Sequence, residues 1–369
     1  MSFFYLVEQY REFDFQQFFA QVTDAAILRS LAQEKPDVVD FLNLLSPKAA
    51  GHLEAMAHKA QQLTVQYFGR TIQLFIPLYI SNHCSNQCAY CGFNHKNDIL
   101  RRKLSLAEIE EEARAIARTG MQHVLFLTGE APHLTPMEYL EEAAECLKHH
   151  FASVAIEVYP LEVEEYRRLQ QAGVDGMTLF QETYDQEVYR RVHRAGRKMD
   201  YHWRLDAPER AIQGGMRLVN LGPLLGLAEP RSEIFFTGLH ARYLDDKYLE
   251  AEVAVSLPRF NAAEGDFRPD YLVDDKTFVQ FMTALRIFLP RAGLTISTRE
   301  SAAFRDRIMT LGATRYSAGS STGVGGYAEM RVGQTPQFEI TDERSVAEVA
   351  AAIVARGYQP VYKDWDAIV

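Results

Sequence analysis

Cysteine is scarce: the 369 residues carry four, and none follows Cys146. So few thiols exclude the disulfide framework of a small secreted domain. No apolar run approaches the roughly 20 residues that cross a bilayer. The opening "MSFFYLVEQYREFDFQQFF" lacks the cationic start, apolar core and small-residue cleavage site of a secretory signal. Positive charge is in deficit, with 39 Lys and Arg against 49 Asp and Glu and a formal net charge of −10. That balance argues against a nucleic-acid or anionic-membrane partner. The local basic runs (Arg101, Arg102, Lys103; Arg190, Arg191) read as solvated helix ends. Long linkers, low-complexity tracts and internal repeats are also absent. What remains is an ordinary globular composition, 47% hydrophobic and 24% charged, and a cytoplasmic location is expected.

The hydrophobic pattern divides the chain. Residues 1–70 place apolar residues at spacings of three and four, as in "DVVDFLNLL", which predicts a helical extension. From residue 71 the texture becomes short apolar, β-branched runs alternating with helical text. The strand candidates are "TIQLFIPLYI", "HVLFLTGE", "SVAIEVYP", "GMTLFQET", "RLVNLG", "AEVAVSLP", "LTISTR" and "ATRYSAG". Ser105 with Glu108, and Thr135 with Glu138 around Pro136, read as capping boxes opening two of the helices. Eight β–α units predict an α/β fold, a parallel (β/α)8 barrel of the TIM type over 71–320; a doubly wound open sheet is the alternative. Residues 321–369 follow as a C-terminal cap and tail. In such barrels reactive groups sit at the carboxyl ends of strands. That rule points to the cysteines after the first strand, Thr128, Gly129 and Glu130 after the second, Glu157 ending the third, Gln181 and Glu182 ending the fourth, and Arg299 and Glu300 ending the seventh.

Three of the four cysteines stand within "HCSNQCAYCGF", spaced C-x3-C-x2-C at Cys84, Cys88 and Cys91. Zinc would need a fourth ligand, for which His83 or His95 is at hand. A [4Fe–4S] cluster suits clustered thiolates better, and three of them leave one iron free. Cys146, in "EEAAECLKHH", reads as a small packed side chain.

The triplet after the first barrel strand resembles the radical S-adenosylmethionine (radical SAM) superfamily. The resemblance implies that the free iron chelates the methionine end of SAM, whose one-electron reduction yields a 5′-deoxyadenosyl radical. It further implies that Tyr90 is the aromatic before the last cysteine, and that Thr128, Gly129 and Glu130 receive the SAM amino group. Glu182 in "QET" and Arg204 in "YHWRLD" match SAM-binding positions, and Glu157 is expected to bind the cofactor with them. Gly222 and Gly226 in "NLGPLLGL" match the adenine-side segment. Gly323, Gly325 and Gly326 resemble a phosphate loop only loosely and lack its lysine.

The longer strings "PLYISNHCSNQCAYCGF", "LFLTGE", "LQQAGVDGMTLFQETYDQEVYRRVH", "STRES", "VGGYA" and "QPVYKDWD" are similar to the 2-iminoacetate synthase family from about residue 45 to the C-terminus. That resemblance implies cleavage of L-tyrosine to p-cresol and 2-iminoacetate for the thiazole of thiamine. It also implies thiazole synthase as a partner and a flavodoxin- or ferredoxin-type reductant. Arg299 is expected to hold the substrate carboxylate, with Ser317, Ser320 and Ser321 as hydroxyl donors and Tyr79 facing the same cavity. The N-terminal helices and the C-terminal tail are expected to close the barrel against water. Three rivals are a tryptophan lyase with the same barrel, a hydrogenase-maturation tyrosine lyase with a second cluster on C-terminal cysteines, and a non-catalytic iron–sulfur carrier.

Overall fold

The computed structural model describes residues 2–329 and 335–363. Part of the tail string "QPVYKDWD" and the end of "GSSTGVGGYAEM" therefore lie outside the described residues.

Eight parallel strands close on themselves. They are β1 (Thr71–Ser81), β2 (His123–Thr128), β3 (Ser153–Glu157), β4 (Gly176–Glu182), β5 (Leu218–Pro223), β6 (Glu252–Ser256), β7 (Gly293–Ile296) and β8 (Arg315–Ser317). The hydrogen-bonded order runs from β2 through β8 to β1, and β1 also pairs with β2, so the sheet is a barrel. All eight strands fall on the runs expected from sequence, and the open-sheet alternative is excluded by the β1–β2 pairing. Both faces of each strand are covered, as a parallel sheet requires. On β1, Leu74, Ile76, Leu78 and Ile80 point out to the helices with at most 1% exposure, while Phe75, Pro77 and Tyr79 point into the barrel.

β1 is the longest strand because it is used three times along its length. Gln73–Phe75 pair with β8, and Ile76–Ser81 pair with β2. Thr71–Gln73 also pair with a ninth strand, β9 (Gln359–Val361), which lies outside the barrel. Beyond the short β8 the chain keeps running beside β1: the Ala318 and Gly325 amides donate to the Phe75 and Tyr79 carbonyls at 3.1 and 2.9 Å. The C-terminal segment thus seals the seam that a three-residue strand leaves open.

Residues before β1 form five α-helices and one 3-10 turn, the last helix running from Leu53 to Phe68. They pack on the flank of the barrel: Phe41 stacks on Phe288 with ring centroids 4.3 Å apart. None of their side chains lines the cavity at the mouth; among the described residues its cover comes from the C-terminal segment together with Phe260 and Asn261 after β6. The Ser105–Glu108 capping box is present. The Thr135 box is not. Its helix starts at Met137 with Pro136 in the capping position, and the buried Thr135 hydroxyl turns back to the Ala131 carbonyl at 3.2 Å. Cys146 packs at the edge of the core and donates to Glu110 at 3.2 Å. Among the described residues no helix is long and apolar enough to cross a membrane.

Candidate active site

Side chains alternate along a strand, so the last inward residue of each barrel strand looks into the mouth. The mouth holds a cavity of about 1010 Å³, its opening included, with Tyr79, Tyr90, Cys91, Glu157, Glu182, Arg299, Ser317 and Ser320 among its lining residues.

The cysteine loop leaves the end of β1 and is held by its backbone. Arg101, expected at a solvated helix end, is instead its clamp. The guanidinium donates to the carbonyls of Asn82 and Phe93 at 2.8 Å each, and to those of Asn94 and Asn97 at 2.6 and 3.3 Å. Asn94 Nδ2 donates to the Cys88 carbonyl at 2.9 Å, and Asn97 Nδ2 to that of Gly92 at 3.0 Å. Gly129 backs the loop: a Cβ there would stand 2.3 Å from the His83 carbonyl oxygen. Glu130 is tied to it as well, accepting from Asn86 Nδ2 at 2.6 Å. Burial pushes the Cys91 thiol up to about 11 and raises Cys88 too; Cys84 further opposes ionisation of Cys91, and Lys198 eases both.

A buried ion cluster stands beside the thiols. Glu182 ends β4 at a register shift and, at φ 73°, is the one non-glycine residue with positive φ among those described. Such strain in a side chain with no turn role marks a constrained site. Its Oε1 lies 2.6 Å from Lys198 Nζ and 3.6 Å from Arg204. Burial raises the pKa of the Glu182 carboxyl; Lys198 and Arg204 outweigh it and hold the group below the ordinary range. Arg204 Nε also donates to the Phe180 carbonyl at 2.7 Å. Lys198 was not singled out from sequence: it sits in a short 3-10 turn, Arg197–Met199, and no pattern marks it. Tyr90 is fixed by His193, with its hydroxyl 2.8 Å from Nε2 while Nδ1 lies 2.9 Å from the Tyr189 carbonyl. This carbonyl accepts the Nδ1 proton, so Nε2 accepts from Tyr90. Gly222 is required by the sheet itself, since a Cβ would stand 2.1 Å from the Ser256 carbonyl oxygen, and Gly226 has φ 129°. Leu224 between them lines the cavity.

Across the cavity, the Tyr79 hydroxyl donates to Gln337 Oε1 at 2.7 Å, and Gln337 Nε2 lies 3.8 Å from Cys91 Sγ. Gln337 comes from the C-terminal segment, 258 residues beyond its tyrosine partner; sequence spacing gives no sign of it. The Arg299 guanidinium lies 3.2 Å over the Phe338 ring. Among the described residues it forms no ion pair, while it lines the cavity. Ser317 Oγ accepts from the Thr298 amide at 3.1 Å, and Ser320 Oγ is buried with no partner. Ser321 does not line the cavity; its amide donates to the Tyr327 hydroxyl at 2.9 Å. Glu157 lines it, and burial and then Glu182 raise its carboxyl to about 7. Thr128, Gly129, Glu130, Arg204, Cys84 and Cys88 do not line the cavity.

The donor set fits an iron–sulfur cluster. Three thiols within electrostatic reach of one another hang on a loop several of whose carbonyls are held by Arg101, Asn94 and Asn97. Among the described residues no three ligating side chains converge on a single metal ion, whereas a cluster several ångströms across spreads its ligands.

Known proteins agree with this geometry. The radical SAM superfamily pattern matches residues 78–235, and the biotin and thiamin synthesis associated domain matches residues 256–359. The chain is similar to the 2-iminoacetate synthase of Escherichia coli K12, with 40% identity over 93% of this chain and 91% of that protein. It is 31% identical to 3-methylornithine synthase of Methanosarcina acetivorans over 42% of this chain and 44% of that protein. Among solved structures, HydG, a maturase of the [FeFe]-hydrogenase, superposes with a TM-score of 0.88 and 30% identity over 95% of this chain and 79% of that one. With a three-cysteine barrel mouth and such identity along nearly its whole length, the chain belongs to the 2-iminoacetate synthase family of the radical SAM superfamily.

Proposed function

We propose that the protein is a radical SAM carbon–carbon lyase that cleaves the Cα–Cβ bond of L-tyrosine. The products are 2-iminoacetate and p-cresol, with 5′-deoxyadenosine and methionine alongside, and the imine supplies the thiazole of thiamine. The observation that carries this reading is the single cavity shared by Cys91, Tyr79 and the unpaired Arg299.

When bound on Cys84, Cys88 and Cys91, a [4Fe–4S] cluster with SAM supplies a 5′-deoxyadenosyl radical. The chain's own residues bind, orient and exclude water. Arg101 and the two asparagines hold the thiols in place before any cofactor arrives. Glu182, steadied by Lys198 and Arg204, offers a charged acceptor to the cofactor's hydroxyls or ammonium, and Arg204 suits its carboxylate. Thr128, Gly129 and Glu130 shape the cysteine side of the pocket, Tyr90 forms its wall, and Gly222 and Gly226 flank the apolar Leu224. For the substrate, Arg299 presents a planar fork to the carboxylate, backed by Ser317 and Ser320; Ser321 acts through the backbone turn it anchors. Tyr79, held by Gln337, bounds the phenol's space, and Phe338 closes the cavity against water.

An imine hydrolyses in water, which favours direct transfer to thiazole synthase as protein partner. A flavodoxin- or ferredoxin-type protein is the proposed reductant and the cytoplasm the proposed compartment. The functional division runs 1–70, 71–320 and 321–369. The absence of any cysteine after Cys146 leaves no ligands for a second cluster in this sequence. The test is product analysis: cluster-loaded protein under anaerobic reduction with SAM, offered tyrosine and tryptophan side by side, is expected to release p-cresol. Skatole-type products with no p-cresol would move the assignment to tryptophan.

A further inference from the structure

We infer that Glu157 receives the substrate's ammonium group and takes one proton from it, so that a neutral amine is presented to the abstracting radical. This rests on the lyase reading above and deepens it. On β3 the inward positions are Ser153, Ala155 and Glu157; the first two line a smaller cavity deeper in the barrel, and Glu157 lines the mouth. Arg299 continues the inward positions Thr295 and Ser297 beyond the end of β7. β3 and β7 stand four places apart in a closed ring of eight strands, so the two groups face each other across the barrel axis. An α-amino acid is a zwitterion whose two charged groups leave one carbon. A cationic fork on one wall and a carboxylate on the other complement it.

The other rim carboxylates are occupied. Glu182 is held by Lys198 and Arg204, and Glu130 by Asn86. The Glu157 carboxylate has no hydrogen bond or ion pair among the described residues. The charged or titratable groups that act on it are Glu182 from β4, Lys198 and Arg204 from the segment after β4, Arg299 from beyond β7, and Tyr79 from β1. Burial and Glu182 together keep its proton affinity near neutrality against the three cations. This suits a base whose task is to exchange a proton at physiological pH.

The step balances without a co-reactant. The ammonium gives a proton to the carboxylate, leaving R–NH2 and the carboxylic acid, and the electron pair of the broken N–H bond stays on nitrogen as its lone pair. A hydrogen atom removed from that amine then leaves a neutral nitrogen radical rather than a radical cation.

The test compares cluster-loaded wild type, Glu157→Gln and Glu157→Asp, with iron content as the folding control. Tyrosine and SAM affinities are measured by calorimetry and p-cresol turnover is followed against pH. Expected are SAM affinities within about twofold of wild type in both variants, and a loss of tyrosine affinity of about tenfold in the glutamine variant. Turnover there should fall by about 10² or more. The wild-type rate should rise with pH through the neighbourhood of 7, a limb that Glu157→Gln loses and Glu157→Asp keeps at lower amplitude. Wild-type tyrosine affinity together with an unchanged acid limb in Glu157→Gln would overturn the inference, as would a loss of SAM affinity with tyrosine binding intact. If wild type bound tyrosine but released no p-cresol, the lyase reading would fall, while the affinity measurements would still decide whether Glu157 holds the ammonium.

Discussion

Replacing Arg299 by alanine removes the one cation that lines the cavity among the described residues. Removing one partner of a desolvated, hydrogen-bonded ion pair costs roughly 3–5 kcal/mol. Arg299 is only half-buried and the mouth is open, so the lower end applies. About 3 kcal/mol corresponds to about 150-fold in the dissociation constant for tyrosine. The stacking of Arg299 on Phe338 exists without substrate, so its loss, roughly 0.5–1 kcal/mol, falls on the free protein and not on binding. Arg299→Lys keeps the charge and loses the fork, and a weakening of about tenfold is expected. Calorimetric titration of tyrosine into anaerobic, cluster-loaded protein with SAM present reads these differences directly. Tyrosine affinity within twofold of wild type in Arg299→Ala, or an equal fall in SAM affinity, would remove Arg299 from the substrate site.

Lys198→Met leaves Glu182 buried with only Arg204, 3.6 Å away; SAM affinity is expected to fall about tenfold or more with tyrosine affinity nearly unchanged, measured by the same titrations. Cys84→Ser is expected to abolish formation of 5′-deoxyadenosine, whereas Cys146→Ser, at the Glu110 contact on the barrel's outer helices, keeps wild-type cluster content and turnover. Parallel iron analysis and product chromatography check both, and equal losses would make Cys146 a ligand.

The barrel was legible because its strands are short, largely apolar and β-branched runs separated by capped helices, a pattern that local composition writes plainly. The strand-end rule then located Tyr79, Glu157, Glu182 and Arg299. What escaped comes from contacts between distant segments. Lys198 and Gln337 sit on irregular backbone with no period to mark them, and they matter only because the barrel closes. Arg101 looked like a solvated charge because its partners are main-chain carbonyls, which no sequence displays. Thr135 misled for a local reason: Pro136 took the capping position, and the threonine hydroxyl found an acceptor behind it. Gly222 carries two readings at once. It matches the adenine-side segment in sequence, while in the structure its lack of a side chain is required by Ser256 of the neighbouring strand.

The most direct measurement is electron paramagnetic resonance of the anaerobically reconstituted, reduced protein before and after SAM is added. A [4Fe–4S] signal that shifts on SAM addition, and is lost in Cys84→Ser, is the predicted result, because three thiolates leave one iron open to SAM. A zinc-loaded protein with no such signal, or a cluster signal indifferent to SAM, would contradict it.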